Sequence, residues 1–508
     1  MNCPRLVTTI AVLIAAVSLN AGNWSRWRGA NNAGMSTGTA PLTWSAEENI
    51  KWVAEIPGRG HSTPIVWGDR VFVTTAVPTG TATERTSPSA TGPSPRATQQ
   101  RAQGSDGNAM TPAMRERLLE ITGGKELSEL SRAQRRQATQ QLRRESRNAT
   151  RRSVAGGQPA AGTQASGQGT AAGVEHRFLV LALDRKTGNQ IWERSPITVA
   201  PHEGYHRRYG SFASSSPVTD GKLLYVSFGS RGVYAYNLDG DLVWKKDYGV
   251  TMRMANAFGE GVSPSLHGNT LLLVFDHQGD SFISALDKRS GEELWRRDRD
   301  ERTSWSQALI TEYSGRAQAI VAASGKIRSY DLETGDVIWE CAGLGSNAIP
   351  AVIREGDVVY AMTGHRNPNL LAIRLGGEGD ITDSDHVLWT NQRGNPYTAS
   401  AVVHDGILYL VTDRGLISAL DANTGEPHYQ QQRLPNPYSL KSSPVGAGNR
   451  LYVATEQGDV VVVKMGPTYE ALATNTIEGE FFMGSPIIVD GEIFLRGQNK
   501  LYAIGNTN

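Results

Sequence analysis

One thirteen-residue phrase governs what this chain can fold into. "ALDRKTGNQIWER" at 182–194 returns as "ALDKRSGEELWRR" at 285–297, "SYDLETGDVIWEC" at 329–341 and "ALDANTGEPHYQQ" at 419–431. In every copy an Asp (184, 287, 331 or 421) stands eight residues before an aromatic (Trp192, Trp295, Trp339 or Tyr429), and a Gly follows the Asp by four. An Asp at a strand end can accept hydrogen bonds from turn amides, and Gly supplies the positive φ that a tight connection demands. The aromatic then falls on the last strand of its unit, where a large flat ring can cover the seam to a neighbour. One sheet cannot bury both of its faces alone, so units of this kind must stack.

Around each phrase the chain reads as four short strands. A Ser-Pro or similar small-residue lead-in is followed by an apolar run, a turn rich in Gly and Asp, and a second alternating run, as in "SSSPVTDGKLLYVSFGSRGVYAYNLDGDLVWKKD". Counting lead-ins and aromatics gives eight units: 61–76 joined with 178–194, then 212–247, 260–298, 305–340, 347–390, 397–431, 440–474 and 482–505. The expected fold is all-β, an eight-bladed β-propeller of four-stranded antiparallel blades. The last unit stops without its aromatic strand, and "NIKWVAEI" at 49–56 carries a spare Trp52. That strand is expected to pair beside Leu501–Ile504, closing the ring and removing its free edges. The turn is shortened in unit two and lengthened in unit five ("RLGGEGDITDSDHVLW"), and the signature fades in unit seven. No periodic Trp-Asp or Gly-Gly pair occurs, which argues against WD40 and kelch propellers.

The segments outside the repeat divide the rest of the chain. Residues 1–21, with Arg5 and an apolar run from Leu6 to Leu19, read as a signal peptide; the run is shorter than the roughly 20 residues a bilayer span requires. Residues 22–76 hold a leader, the closing strand and the start of blade 1, and 178–508 hold the remaining propeller. Residues 77–177 form a low-complexity insert with helical spacing of Leu118, Leu119, Leu127 and Leu130, and 77–176 carry 14 Lys/Arg against 8 Asp/Glu. The expectation is an exported protein, periplasmic or secreted, without a transmembrane span after cleavage, acting as a monomer. Beyond the signal segment Cys341 stands alone, so no internal disulfide can form and packing must hold the fold. A formal net charge of +1 gives no reason to invoke nucleic acid.

In a propeller, the loops leading into the innermost strands crowd around the axis and are the default ligand site. Here they contribute Arg59, His61, His202, His206, Arg207, Arg208, Arg253, Trp305, Tyr397 and Lys441. This basic and aromatic set favours an anionic or planar ligand, or a protein partner, over a metal, because carboxylates are sparse among the loops. Gly204 and Pro201 speak against a helical His202/His206 zinc pair. No Gly-x-Ser-x-Gly elbow, Walker-type loop or His-Glu-x-x-His occurs.

The "ALDxxTGxxxW" block, the blade at 214–247 and the leader "NWSRWRGANNAG" (23–34) resemble PQQ-like propeller repeat proteins of secreted bacterial type, relatives of BamB and, more distantly, of quinoprotein alcohol dehydrogenases. The resemblance spans nearly everything except the insert and the signal segment, and it implies the propeller fold. It also implies two functions. A BamB-like member is a non-catalytic binding or scaffold module acting through its channel mouth and blade edges. A quinoprotein holds PQQ with calcium at the axis under a pair of adjacent cysteines and is a dehydrogenase. This chain has neither adjacent cysteines nor a Cys-x-x-Cys-His haem site, and Cys3 precedes the apolar run, so the lipid-anchoring Cys of BamB-like members is also missing. The favoured expectation is the non-catalytic module with no cofactor; the alternative is a PQQ-dependent oxidoreductase.

Overall fold

The computed structural model describes residues 22–29, 32–80 and 173–506. The signal-segment expectation, and that for the insert between residues 81 and 172, lie outside the described residues. Eight sheets follow one another along the chain, and the expected all-β, eight-bladed propeller is the observed architecture. Blade 1 consists of Ile65–Trp67, Arg70–Pro78, His176–Asp184 and Gln190–Val199, in that order from the axis outward. Its second and third strands pair as far as Pro78 with His176, one register position beyond residues 77 and 177. Blades 2 to 7 occupy 218–246, 265–299, 309–342, 353–391, 402–433 and 445–476. Blade 8 is made of Ile487–Val489, Glu492–Arg496 and Lys500–Ile504, with Ile50–Glu55 as its outermost strand. The closing register sets Trp52 opposite Ala503 and Val53 opposite Tyr502.

The sequence pattern changes with distance from the axis. A middle strand such as Asp459–Lys464 ("DVVVVK") is buried on both faces along its four valines, whereas the outermost Ile50–Glu55 alternates buried Trp52 and Ala54 with exposed neighbours. The apolar cores consequently lie between sheets. One cluster joins Phe72 and Phe178 of blade 1 to Leu224 and Val226 of blade 2, and others fill each later seam in turn. A last cluster runs through blades 7, 8 and 1, so the core itself is circular.

The repeated phrase locks these seams. Asp184 Oδ1 accepts from the amides of Lys186 and Thr187, and Asp421 Oδ1 does the same for Asn423 and Thr424. The outer-strand Trp of most blades then reaches the turn of the next blade. Trp52 Nε1 donates to Arg185 O at 2.8 Å, Trp192 to Leu238 O at 2.9 Å, Trp244 to Lys288 O at 2.9 Å and Trp295 to Leu332 O at 3.0 Å. The ring lies flat on the turn glycine: a Cβ on Gly188 or Gly335 would come within 2.6 Å of the Trp52 or Trp295 ring. That glycine therefore serves twice, for its φ (+74° at 188, +76° at 335) and for the room it leaves its neighbour's indole. Where the signature fades, at the seam of blades 6 and 7, Tyr429 packs against Tyr469 instead.

Two strands were not foreseen. The lengthened turn of blade 5 supplies Gly379–Asp380, which pairs in parallel with the outer strand of blade 4. The leader supplies Met35–Ser36, parallel to Val445–Ala447 on the inner edge of blade 7. Before that, the leader crosses the axis. Trp24 bridges to Val66 of blade 1, Ser25 O accepts from Thr219 of blade 2, and Asn32 reaches Ala308 O beside blade 4. Arg28, fully buried, donates to Ala401 O and Pro444 O at the starts of blades 6 and 7.

Candidate functional site

Strand direction decides which loops meet. The innermost strand runs away from one face and the second returns to it, so the lead-in loops and the second-to-third turns share a single face. A second ring of repeats shapes the opening there. The small residue of most lead-ins accepts an amide from the preceding blade: Thr63 N to Ser216 Oγ, Ser216 N to Ser263 Oγ, Ser400 N to Ser443 Oγ and Ser443 N to Ser485 Oγ, each at 2.9 Å, and Ser485 N to Thr63 Oγ1 at 3.1 Å. The Ser-Pro lead-in is thus an inner girdle that satisfies backbone groups close to the axis.

Above this girdle lies a cavity of about 470 Å³, lined from all eight lead-ins and floored by Trp27 of the leader. Of the sequence candidates, His61, His206, Trp305, Tyr397 and Lys441 line it. Trp305 is fixed by Nε1 donating to Gly259 O at 2.8 Å. Tyr397 stacks on His365 at 4.9 Å between centroids and accepts from Asn347. His206 stacks on Tyr209 at 4.6 Å and 9°, with Phe258 edge-on.

The other candidates stand away from the cavity wall. Arg59 donates to the carbonyls of Arg207 and Arg208 and lies over the Tyr205 ring, bolting down the 202–209 loop. His202 meets Met252 O at 2.7 Å, which joins the loops before blades 2 and 3. Arg208 reaches across the rim to Glu456 at 2.8 Å, and Arg207 and Arg253 are exposed.

The charge at the cavity is balanced within the protein. Lys441 Nζ sits 2.6 Å from Asp413 Oδ2 and 3.8 Å from Glu456, over the Tyr209 ring. Asp413 also accepts the amides of Tyr397 and Thr398. Burial pushes the Glu456 carboxyl up despite Lys441 and Arg208. Burial, reinforced by Arg59 and Arg496, pulls His61 down to about 3, and its Nδ1 donates to Tyr209 O. His206 is lowered by burial, Lys441 and Arg59, and its Nδ1 accepts from Tyr209 N. Both imidazoles are therefore neutral at neutral pH; the wall is mainly aromatic, and its two charged side chains, Lys441 and Glu260, are paired within the protein, Glu260 with Arg231 at 2.8 Å. Among the described residues no three His, Cys, Asp or Glu side chains are grouped to hold a metal ion.

The sequence reading missed Asp413, Glu456 and His365. They belong to second-to-third turns ("TDRG", "TEQGD", "TGHRN"), which share the mouth with the lead-ins. Reading both loop classes would have found them. It would not have found Trp27, whose place depends on the path of the leader.

The family model described as outer membrane protein assembly factor BamB matches residues 176–430 and 377–473. The chain belongs to this family. Similar curated proteins carry the same description: one from Moranella endobia is 24% identical over 64% of this chain and 82% of its own length, and one from Yersinia pestis is 22% identical over 65% and 81%. The quinohemoprotein alcohol dehydrogenase of Comamonas testosteroni superposes with a TM-score of 0.56 at 10% identity, over 96% of this chain and 81% of its own, a likeness of fold alone.

Proposed function

We propose that this chain is an exported, non-catalytic propeller, monomeric and periplasmic, whose channel mouth holds part of a protein partner. The observation that carries the reading is the aromatic cup at the axis, with Trp305, Tyr397 and Tyr209 fixed in place and its two charges, Lys441 and Glu260, already paired. Such a cup gains from burying an apolar anchor side chain, worth roughly 1.5–3 kcal/mol each. It offers little to a free anion. The assembly-factor description of its relatives supports a protein partner. No helix among the described residues is long and apolar enough to cross a membrane.

The second reading, a PQQ-dependent oxidoreductase, draws on the fold likeness to a quinohemoprotein. Its cofactor would need cations for three carboxylates and donors for calcium. The cavity's Lys441 is spent on Asp413, its His61 and His206 are neutral, and no three-donor group stands there among the described residues. This donor set does not fit the cofactor.

A photo-crosslinking residue placed at Tyr397 in envelope-expressed protein tests the proposal, with one at Val337 on an outer blade edge as control. A discrete protein adduct from position 397, lost with Trp305→Ala, is the expected result. A melting-temperature rise on adding PQQ with calcium, abolished by the same substitution, would overturn it in favour of the oxidoreductase.

A further inference from the structure

Three consecutive leader residues serve three different places. Trp27 floors the mouth cavity, Arg28 is buried against blades 6 and 7, and Arg26 lines a separate chamber of about 740 Å³. That chamber is framed by the first turns of blades 1 to 5, at Trp67, Asp220, His267, Glu312 and Gly356, so it opens on the face opposite the mouth. The leader thereby divides the axis into two back-to-back compartments of unlike chemistry.

The other charges of this chamber are matched. Lys288 holds Asp220 at 2.6 Å, and His267 stands 3.2 Å from Glu312. Arg354 donates to Thr311 and to the carbonyls of Glu312 and Gly356. Arg26 is the exception. Among the described residues its guanidinium has no acid and no hydrogen-bond acceptor, its Nε is shut off from water, and burial lowers its pKa. Arg26 is half-buried and lines the chamber, and its terminal nitrogens, which water still reaches, present donors with no acceptor among the described residues. Such a planar fork of donors is matched by an oxyanion.

We propose that this second chamber is a binding site for a small oxyanion ligand, carboxylate or phosphoryl. The terminal nitrogens of the Arg26 guanidinium take the oxyanion. The site is independent of the mouth, because no residue of the aromatic cup lines it.

Calorimetric titration and thermal melting of the full chain with L-malate and with glycerol 3-phosphate, against sodium chloride at equal ionic strength, test the assignment. At least one of the two is expected to bind and raise the melting temperature beyond the chloride control. Arg26→Gln is expected to weaken binding by about tenfold or more without lowering the ligand-free melting temperature. Arg26→Lys weakens binding less, and Trp305→Ala leaves it unchanged. Binding of malate alone assigns a carboxylate ligand, and binding of glycerol phosphate alone a phosphoryl one. Absence of binding by either, or binding that Arg26→Gln and Arg26→Lys both leave intact, overturns the proposal.

Discussion

The seams between blades and the mouth at the axis are built on opposite rules. At the seams one phrase is written repeatedly, and its parts interlock head to tail: the Trp of one copy needs the Gly of the next. At the mouth the loops share little beyond their Ser-Pro ends, and the side chains above that girdle meet only because eight lead-ins converge. The difference extends to charge. Hydrogen bonds from the Thr187 hydroxyl and amide hold the Asp184 carboxyl below its ordinary range, and the Thr424 amide does so for Asp421. Burial moves Glu456 at the mouth the other way. Repetition secures the ring, and departure from repetition makes a surface able to recognise something.

The largest effect should come from removing what closes the circle. Deleting residues 44–57 takes away the outermost strand of blade 8 together with Trp52, and the propeller is expected to lose cooperative unfolding altogether, as followed by circular dichroism. Next come single seams. Trp295→Ala should cost about 3–5 kcal/mol in denaturant unfolding. Gly335→Val should cost nearly as much, because a side chain there meets both the Trp295 ring and a left-handed backbone. Since each loses the same dock, the double variant should cost much less than the sum. The mouth should respond differently: Tyr209→Ala is expected to cost less stability than either seam variant while abolishing the adduct formed from position 397.

The smallest effect concerns pH. A carboxyl whose folded pKa is raised binds its proton more tightly when folded, so Glu456 favours the fold below its unfolded pKa and loses that contribution as pH rises through the folded value. Glu456→Gln should therefore melt slightly higher than the parent at pH 8 and equal to it near pH 4. Asp184 and Asp421 carry the reverse sign. Their contribution is present above the unfolded pKa and is lost as pH falls through the folded one, so Asp184→Asn should lower the melting point at pH 7 and make no difference near pH 2.

Much of this was legible in the sequence, for a definite reason. The Asp-Gly-Trp spacing is local, so it names the strand, the turn and the seam together, and the incomplete last unit with its spare Trp52 implied the closure found at Ala503 and Tyr502. The mouth was only half legible. His61, His206, Trp305, Tyr397 and Lys441 could be gathered from the lead-ins, but the pairing of Lys441 with Asp413 and of Arg208 with Glu456 joins residues from different turns, and no spacing announces it. The path of the leader was hidden for the same reason: Arg28 meets Pro444, more than four hundred residues along the chain, through contacts made once and never repeated.

Glu55 and Lys500 face each other across the closing register, both on the surface. Replacing both with cysteine gives the most direct measurement of ring closure: under mild oxidation the pair should form an intramolecular disulfide rapidly, whereas Glu55→Cys combined with Glu312→Cys should stay reduced. A first pair that remains reduced in the folded protein, or a second that closes, would contradict the circle of eight blades.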